Sequence, residues 1–176
     1  MKIKENLKLF AFESSAFICG LLALIFSFTP AYFEADKPDL SLFQLAFGMS
    51  DSLSPNFILI MAFILVVIAV ICGLALVVLL AIKPKEKIEK ITTILAIVSG
   101  LFILIGGILL ACGLFIQGLT ESNSTLGFTQ GNWGIKAGNI VVPILALISF
   151  ILSYPCALVI LKRKDSEDKA LKVAKK

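Results

Sequence analysis

The chain has 176 residues, of which 59% are hydrophobic and 16% are charged, and its mean hydropathy is +1.00. Soluble domains are about 45 to 50% apolar and about 25% charged, so this composition excludes an ordinary soluble domain and indicates an integral membrane protein. The chain has no histidine, and its four cysteines all lie in apolar segments. We therefore expect no metal ion, no other cofactor and no enzymatic activity of its own.

Four apolar segments are long enough to cross a membrane as helices, because a span needs about 20 residues. Unpaired backbone groups are not tolerated in lipid, and these segments lack the alternation of barrel strands. The sequence therefore predicts an all-α integral membrane protein, a single domain built as an antiparallel bundle of four transmembrane helices (tetraspan topology). The predicted helices are 9–29, 57–82, 91–116 and 138–161, with outer loops 30–56 and 117–137, an inner loop 83–90 and a basic tail 162–176.

The first predicted helix carries one acidic residue, Glu13, five positions after Lys8. An ionisable group inside a membrane is a candidate functional residue, and here we consider coupling to protons or cations. A single carboxylate in the first of four helices resembles the small multidrug transporters, although those chains are shorter and have minimal loops. The alternative is a structural glutamate that snorkels to the cytoplasmic interface or pairs with a lysine.

Small residues recur along the same helix at every fourth position. Small side chains let a neighbouring helix backbone come close, so the row predicts a packing face. That face has two possible uses, packing within one bundle or contact with a second copy or another membrane protein. The residues of this row are Ser15, Cys19, Ala23 and Ser27.

The first outer loop contains an apolar stretch, 40–49, that is too short to span the membrane. It predicts a short helix or a strand lying over the mouth of the bundle, with its aromatic side chains in the headgroup layer. The alternative is a surface that docks a partner protein or lipid. The candidate docking residues are Leu42, Phe43, Leu45 and Phe47.

The third predicted helix has its own row of small residues, Ser99, Gly106 and Gly113, at intervals of seven. This spacing keeps one face towards a neighbour in a left-handed bundle. The second outer loop, which follows, is polar and rich in glycine. It ends near Trp133, the single tryptophan of the chain, and a tryptophan just before a span is typical of an anchor at the membrane interface.

Basic residues are concentrated on one side of the predicted membrane. Fourteen of the 16 lie before the first helix, in the inner loop or in the tail, while Lys37 and Lys136 lie in the outer loops. The positive-inside rule then places both termini in the cytoplasm (N-in, C-in). The lysines suit anionic lipid headgroups, and we expect no nucleic-acid partner. Many lysines beside one arginine indicate an AT-rich coding sequence and hence the plasma membrane of a low-GC bacterium.

Four helices with a longer first outer loop resemble the general plan of tetraspan proteins such as the claudins. The resemblance is one of topology, because the claudin first loop carries a Trp-Gly-Leu-Trp pattern and a cysteine pair that this loop lacks. The leading hypothesis is a non-enzymatic protein that associates with other membrane proteins, or with itself, as an accessory, scaffold or protective subunit. The alternatives are a small oligomeric transporter or channel that uses Glu13, and a lipid-binding protein whose crevice is lined by residues of the first outer loop and the fourth helix.

Overall fold

The computed structural model of the protein describes residues 2–33, 39–48, 55–82, 89–113, 115–116 and 134–174. This part of the chain is mostly helical, and it also contains three short strands that form one sheet. The helices are α1 (Lys2–Phe26), α2 (Leu42–Phe47), α3 (Phe57–Ala81), α4 (Glu89–Ala111) and α5 (Ala137–Ala174). The strands are β1 (Pro30–Phe33), β2 (Leu40–Ser41) and β3 (Gly134–Ile135).

Four of these helices are long and apolar enough to cross a membrane, which confirms the predicted helical membrane bundle at this level. Their outer faces expose large aliphatic and aromatic side chains, as a surface against lipid tails requires. The apolar spans are Leu7–Phe26, Phe57–Ala81, Ile91–Ala111 and Ala137–Tyr154.

Helix α1 ends at Phe26, three residues before the predicted end at 29. The Ser27 and Thr29 hydroxyls donate to carbonyls three residues back, at 2.6 and 2.7 Å, so the side chains satisfy groups that a continuing helix would use. Pro30 follows, and a proline disfavours the helical conformation of the residue before it. The chain therefore turns here and enters β1.

Helix α5 is longer than predicted and continues through most of the basic tail. It has 38 residues and ends at Ala174. After Pro155 the sequence contains no glycine and no further proline, and its lysines, leucines and alanines are strong helix formers. The charged residues of the tail therefore do not end this helix.

The long helices form a four-sided bundle in which neighbours run antiparallel. Helix α1 packs against α3 and α5, and α4 packs against the same two helices from the other side. Close contacts set the relative heights: Phe17 lies beside Gly73, Ala62 beside Gly106, and the Ser149 hydroxyl donates to the Ala16 carbonyl. As a result α1 and α4 end where α3 and α5 begin.

Buried residues repeat every seven positions along all four long helices. This repeat matches about 3.5 residues per turn, so each helix keeps the same face inside over the stretch whose side-chain burial is described. In α1 the buried rows are Leu9, Ala16, Ala23 and Glu13, Gly20, and Ser27 continues the second row just after the helix. In α3 the buried rows are Leu59, Val66, Gly73 and Ala62, Ala69, Leu76. In α4 they are Thr92, Ser99, Gly106 and Ala96, Ile103, Leu110, and Gly113 continues the first row two residues after the helix. In α5 they are Val142, Ser149 and Ala146, Ser153.

A small cap covers the end of the bundle where α1 and α4 end. We use "cap" for residues 30–33, 39–48 and 134–136. Its sheet has the order β2-β1-β3, with both pairs antiparallel, and Tyr32 of the central strand pairs with Leu40 on one side and Ile135 on the other. The first outer loop was expected to hold a helix or a strand, and it holds two strands and a helix.

Helix α2 of the cap has well-formed ends despite its six residues. The Gln44 backbone N–H donates to the Ser41 hydroxyl, and the Ser41 N–H donates to the Gln44 side chain, at 3.1 and 3.0 Å. This reciprocal pair is a capping box. At the other end Gly48 has φ 65°, a left-handed conformation that glycine adopts without strain.

Candidate functional site

The interior of the bundle has two halves that differ in the polarity of their buried side chains. In the half away from the cap lie Glu13, Thr92, Ser99, Ser149 and Ser153, which we call the polar half. In the half next to the cap, the described interior positions of the helices are occupied mainly by alanine, glycine, valine and leucine, and the buried polar groups Ser27, Ser41 and Asn56 belong to turns and helix ends. Polar groups inside a membrane bundle are candidates for function, so the polar half is the candidate site.

Glu13 lies inside the bundle, with 1% of its surface exposed. The Ser153 hydroxyl of α5 donates a hydrogen bond to Oε2 of Glu13 at 3.2 Å. The position follows the seven-residue repeat, because Glu13 and Gly20 lie on one inward face of α1 and Ser27, just after the helix, continues the row. The carboxyl group therefore does not snorkel to the surface, which was one of the two structural interpretations of this residue.

Two serines connect helices through hydrogen bonds to backbone carbonyls. The Ser149 hydroxyl of α5 donates to the Ala16 carbonyl of α1 at 2.8 Å. The Ser99 hydroxyl of α4 donates to the Ala69 carbonyl of α3 at 3.0 Å. Each serine is close to a glycine of the facing helix, since a Cβ built on Gly73 would meet the Ser99 oxygen at 3.3 Å. Small residues and hydroxyls thus bring the helices of the polar half together.

A small cavity lies at the level of these serines, where all four long helices meet. Its volume is about 10 Å³, close to the lower limit for one water molecule. Ala16, Gly20, Ala69 and Ile103 supply much of its wall. The remaining lining residues are Phe17, Val70, Ser99 and Ser149.

The predicted packing row of α1 does not keep to one face. Ala23 and Ser27 are buried, Cys19 is half-buried, and Ser15 is exposed, with its hydroxyl bonded to the Ala11 carbonyl of the same helix at 2.9 Å. Four residues turn a helix by about 400°, which is about 40° more than a full turn. A row with this spacing drifts round the helix, so Ser15 and Cys19 leave the interface that Ala23 and Ser27 occupy.

The row of α4 lies in the interior along its whole length. Ser99, Gly106 and Gly113 are all buried. A Cβ on Gly106 would lie 2.7 Å from the Ala62 carbonyl oxygen, and one on Gly113 would lie 2.7 Å from a methyl group of Leu45. Seven residues turn a helix by about 700°, only about 20° short of two full turns, so this row stays on one face.

The candidate docking residues of the first outer loop divide into two pairs. Leu42 and Leu45 are buried in the core, with 1% and 0% exposure, so they are not available to a partner and the sequence interpretation of these two is corrected. Phe43 and Phe47 are half-buried and stack on each other with ring centroids 4.7 Å apart. Both also pack on Phe63 of α3, at 5.3 and 5.6 Å.

These ring contacts also correct the predicted lipid crevice. The aromatic cluster lies between the end of α1 and the start of α3, because the Phe28 ring packs against Phe43 at 4.8 Å and meets Phe63 edge-to-face at 5.7 Å. A crevice between Phe43, Leu45, Phe47 and the fourth helix is therefore not formed. The rings pack together between the end of α1 and the start of α3.

One connection between the cap and the bundle is not visible in the sequence. The hydroxyl of Tyr32, a buried residue of β1, lies 2.8 Å from Oδ1 of Asn139 in α5 and 3.1 Å from the carbonyl oxygen of Ala111 in α4. A tyrosine followed far along the chain by an asparagine gives no periodic pattern. The one available signal was that the two residues beside Tyr32, Ala31 and Phe33, are apolar, with charged residues beginning at Glu34.

Some predicted features cannot be compared with the structure. Trp133 and the rest of the second outer loop up to residue 133 lie outside the described residues, as do the side chains of the basic tail. Within the described part of the chain, no group of three or more His, Cys, Asp or Glu side chains is arranged to hold a metal ion. No protein-family model, curated protein or solved structure matches the chain.

Proposed function

We propose that this chain is a multi-pass protein of the plasma membrane that acts by association, as an accessory, scaffold or protective subunit of another membrane protein. In the proposed orientation both termini are cytoplasmic and the cap faces outward. The lysine distribution supports this orientation, because the inner loop and both termini carry most of the basic residues. A role without catalysis is part of the proposal.

The close packing of the interior is the observation that supports association over transport. A Cβ on Gly107 of α4 would lie 2.4 Å from Cβ of Ala146 in α5, closer than two carbon atoms can approach. Gly106 faces the Ala62 carbonyl just as tightly. There is no space for a solute between these helices at this level, so we assign function to the surface of the molecule.

The cap offers an ordered surface for a partner. Phe33 and Ile135 lie on adjacent strands and expose 42% and 59% of their surfaces. The Lys136 ammonium group lies 5.4 Å from the centre of the Phe33 ring and forms an ion pair with Asp39. The Tyr32 hydroxyl holds β1 on the bundle and β3 pairs with β1, so a partner that binds there loses little conformational entropy on the side of this chain.

Site-specific photo-cross-linking in cells that express the full chain at native level tests the association proposal. A photoreactive phenylalanine analogue replaces Phe33 or Ile135, and the matched control carries it at Ile105, which is exposed on the lipid-facing side of α4. We expect the cap positions to label one protein, which native mass spectrometry then recovers in a stoichiometric complex. Labelling of lipid alone at all three positions, with the chain recovered alone, would contradict the proposal.

Proton or cation coupling through Glu13 is the second candidate function. Its support is the burial of this carboxyl group inside the bundle, with the Ser153 hydroxyl as a hydrogen-bond donor. In a transporter of this kind the carboxyl group would gain and lose a proton as the bundle changes shape. The four helices would then have to separate in the half next to the cap.

Proton flux into proteoliposomes tests this second function. We expect a membrane potential to drive acidification through the purified chain and Glu13→Gln to abolish it, because the amide has a similar shape but does not titrate. Glu5→Gln, at the start of α1, is the control that also removes one negative charge and should leave the flux unchanged. Equal flux in the unmodified chain, in Glu13→Gln and in empty vesicles would exclude coupling.

A further inference from the structure

We propose that the bundle binds one water molecule in its interior, held between the hydroxyl groups of Ser99 and Ser149. This inference goes beyond both proposed functions and depends on neither. It rests on the cavity in the polar half, the chemistry of its walls and the directions of the two serine hydrogen bonds.

The cavity has the size of one water molecule and lies at the centre of the membrane-spanning bundle. Its volume of about 10 Å³ is near the minimum that a water molecule needs. Cavities with purely apolar walls stay dry, whereas water enters where two or more polar partners are present. Ser99 and Ser149, with 7% and 4% exposure, supply two such partners.

The two serines that line the cavity already use their hydroxyl protons in hydrogen bonds to the backbone. Ser99 donates its proton to the Ala69 carbonyl, and Ser149 donates its proton to the Ala16 carbonyl. Each hydroxyl oxygen can still accept hydrogen bonds. A water molecule has two protons to donate, so one molecule can satisfy both serines at once.

Water fits this site better than a metal ion. Calcium takes six to eight oxygen ligands and magnesium takes six, and the cavity lining offers two hydroxyl groups among otherwise apolar side chains. The site also lies one helical turn from Glu13, because Ala16 is three residues further along α1. The proposed water therefore extends the polar half from the carboxyl group towards the middle of the bundle.

Filling the cavity with a methyl group distinguishes a bound water from an empty space. A Cβ on Gly20 would lie 3.5 Å from the Ser149 oxygen and 3.8 Å from both Ile103 and Val70, which are ordinary contacts that the fold accommodates. In the unmodified chain we expect Gly20→Ala to displace the water and lower the unfolding midpoint in detergent by about 2 to 4 °C. In a chain that already carries Ser99→Ala and Ser149→Ala, the same change should raise the midpoint.

The control is Gly100→Ala, whose new methyl group would contact Phe150 at 3.4 Å away from the cavity lining. Gly100→Ala should shift the unfolding midpoint by the same amount with and without the two serine substitutions. Comparison with it therefore removes the part of the Gly20→Ala effect that comes from the general preference of helices for alanine. Equal stabilisation by Gly20→Ala in both backgrounds would overturn the proposal.

Solid-state NMR of the full chain in deuterated lipid bilayers gives a direct measurement. We expect magnetisation to pass from water protons to Ser99 and Ser149, and not to Ala62 and Ala146 at the closely packed level near the cap. Absence of transfer to both serines would also overturn the proposal.

Discussion

In the half of the bundle next to the cap, the helices meet through glycine and alanine, whereas in the opposite half serine hydroxyls bridge them and a carboxyl group lies among them. The first half depends on shape, because Gly107 and Ala146 leave no room for one more carbon atom. The second half depends on hydrogen bonds such as that from Ser149 to Ala16. The difference implies that the two halves respond differently to substitution.

The largest expected effect is at the closest contact of the first half. Gly107→Ala places a methyl group against Ala146, and overpacking of this kind costs roughly 3 kcal/mol when the backbone cannot move away. The free energy of unfolding, measured by SDS titration in mixed micelles, checks the value. Gly100→Ala in the same helix is the matched control and should not lower it, because its new methyl group makes an ordinary contact with Phe150 at 3.4 Å and helices favour alanine over glycine.

A second substitution tests whether the collision with Ala146 causes the loss of stability in Gly107→Ala. Adding Ala146→Gly to Gly107→Ala exchanges the methyl group across the α4–α5 contact, and we expect most of the lost stability to return. If the double variant were no more stable than Gly107→Ala alone, a collision between these two positions would not be the reason for the loss.

A smaller effect is expected where the cap joins the bundle. Tyr32→Phe removes the hydroxyl that contacts Asn139 and Ala111, and loss of a buried hydrogen-bond partner costs about 1 to 2 kcal/mol. Tyr154→Phe is the control, because Tyr154 is 54% exposed. Hydrogen exchange of the β1 and β3 amides should also accelerate in Tyr32→Phe only. Unchanged exchange in both variants would show that the hydroxyl does not hold the sheet.

Each serine hydrogen bond between helices in the polar half should contribute less to the free energy of unfolding. Hydrogen bonds between membrane helices average about 0.6 kcal/mol, so Ser149→Ala should lower the free energy of unfolding by about that amount. Ser15→Ala makes a sharp comparison, since Ser15 is exposed and bonds only within its own helix at 2.9 Å. An equal effect of the two substitutions would argue against a contribution from the bond between helices.

The smallest effect is expected on the surface of the cap. Asp39→Asn weakens the ion pair with Lys136, whose partners are 40% and 37% exposed, and pairs of this kind contribute about 0.2 to 1 kcal/mol. The difference in the free energy of unfolding between the unmodified chain and Asp39→Asn should shrink as salt is added, because ions screen exposed charges. A salt-independent difference would point to a change in packing instead.

The helices could be predicted because apolar length alone identifies them, and the α4 row could be predicted because a spacing of seven stays on one face. The burial of the α1 row could not be predicted, because residues spaced four apart move gradually round the helix and Ser15 therefore lies outside the interface. Glu13 was recognised as a candidate, but a lone carboxylate near a helix start has no pattern that fixes its direction. The repeat that turns it inward becomes visible only when the buried residues of α1 are known.

The cap was the least predictable region. Its helix could be anticipated from the apolar stretch of the loop, whereas its sheet pairs strands of two and four residues from separate loops. Strands so short have no readable alternation. The burial of Leu42 and Leu45 follows from this sheet, because β2 leads directly into α2 and sets its inward face.

The pairing of β1 with β3 also sets an order of events during synthesis. Tyr32 and Asn139 are 107 residues apart in the chain, so the ribosome completes α3 and α4 before β3, the second partner of β1, exists. A chain under translation thus carries an unfinished central strand through the insertion of two spans, α3 and α4. The cap closes only when α5 arrives, and its closed form marks a molecule whose helices are all present.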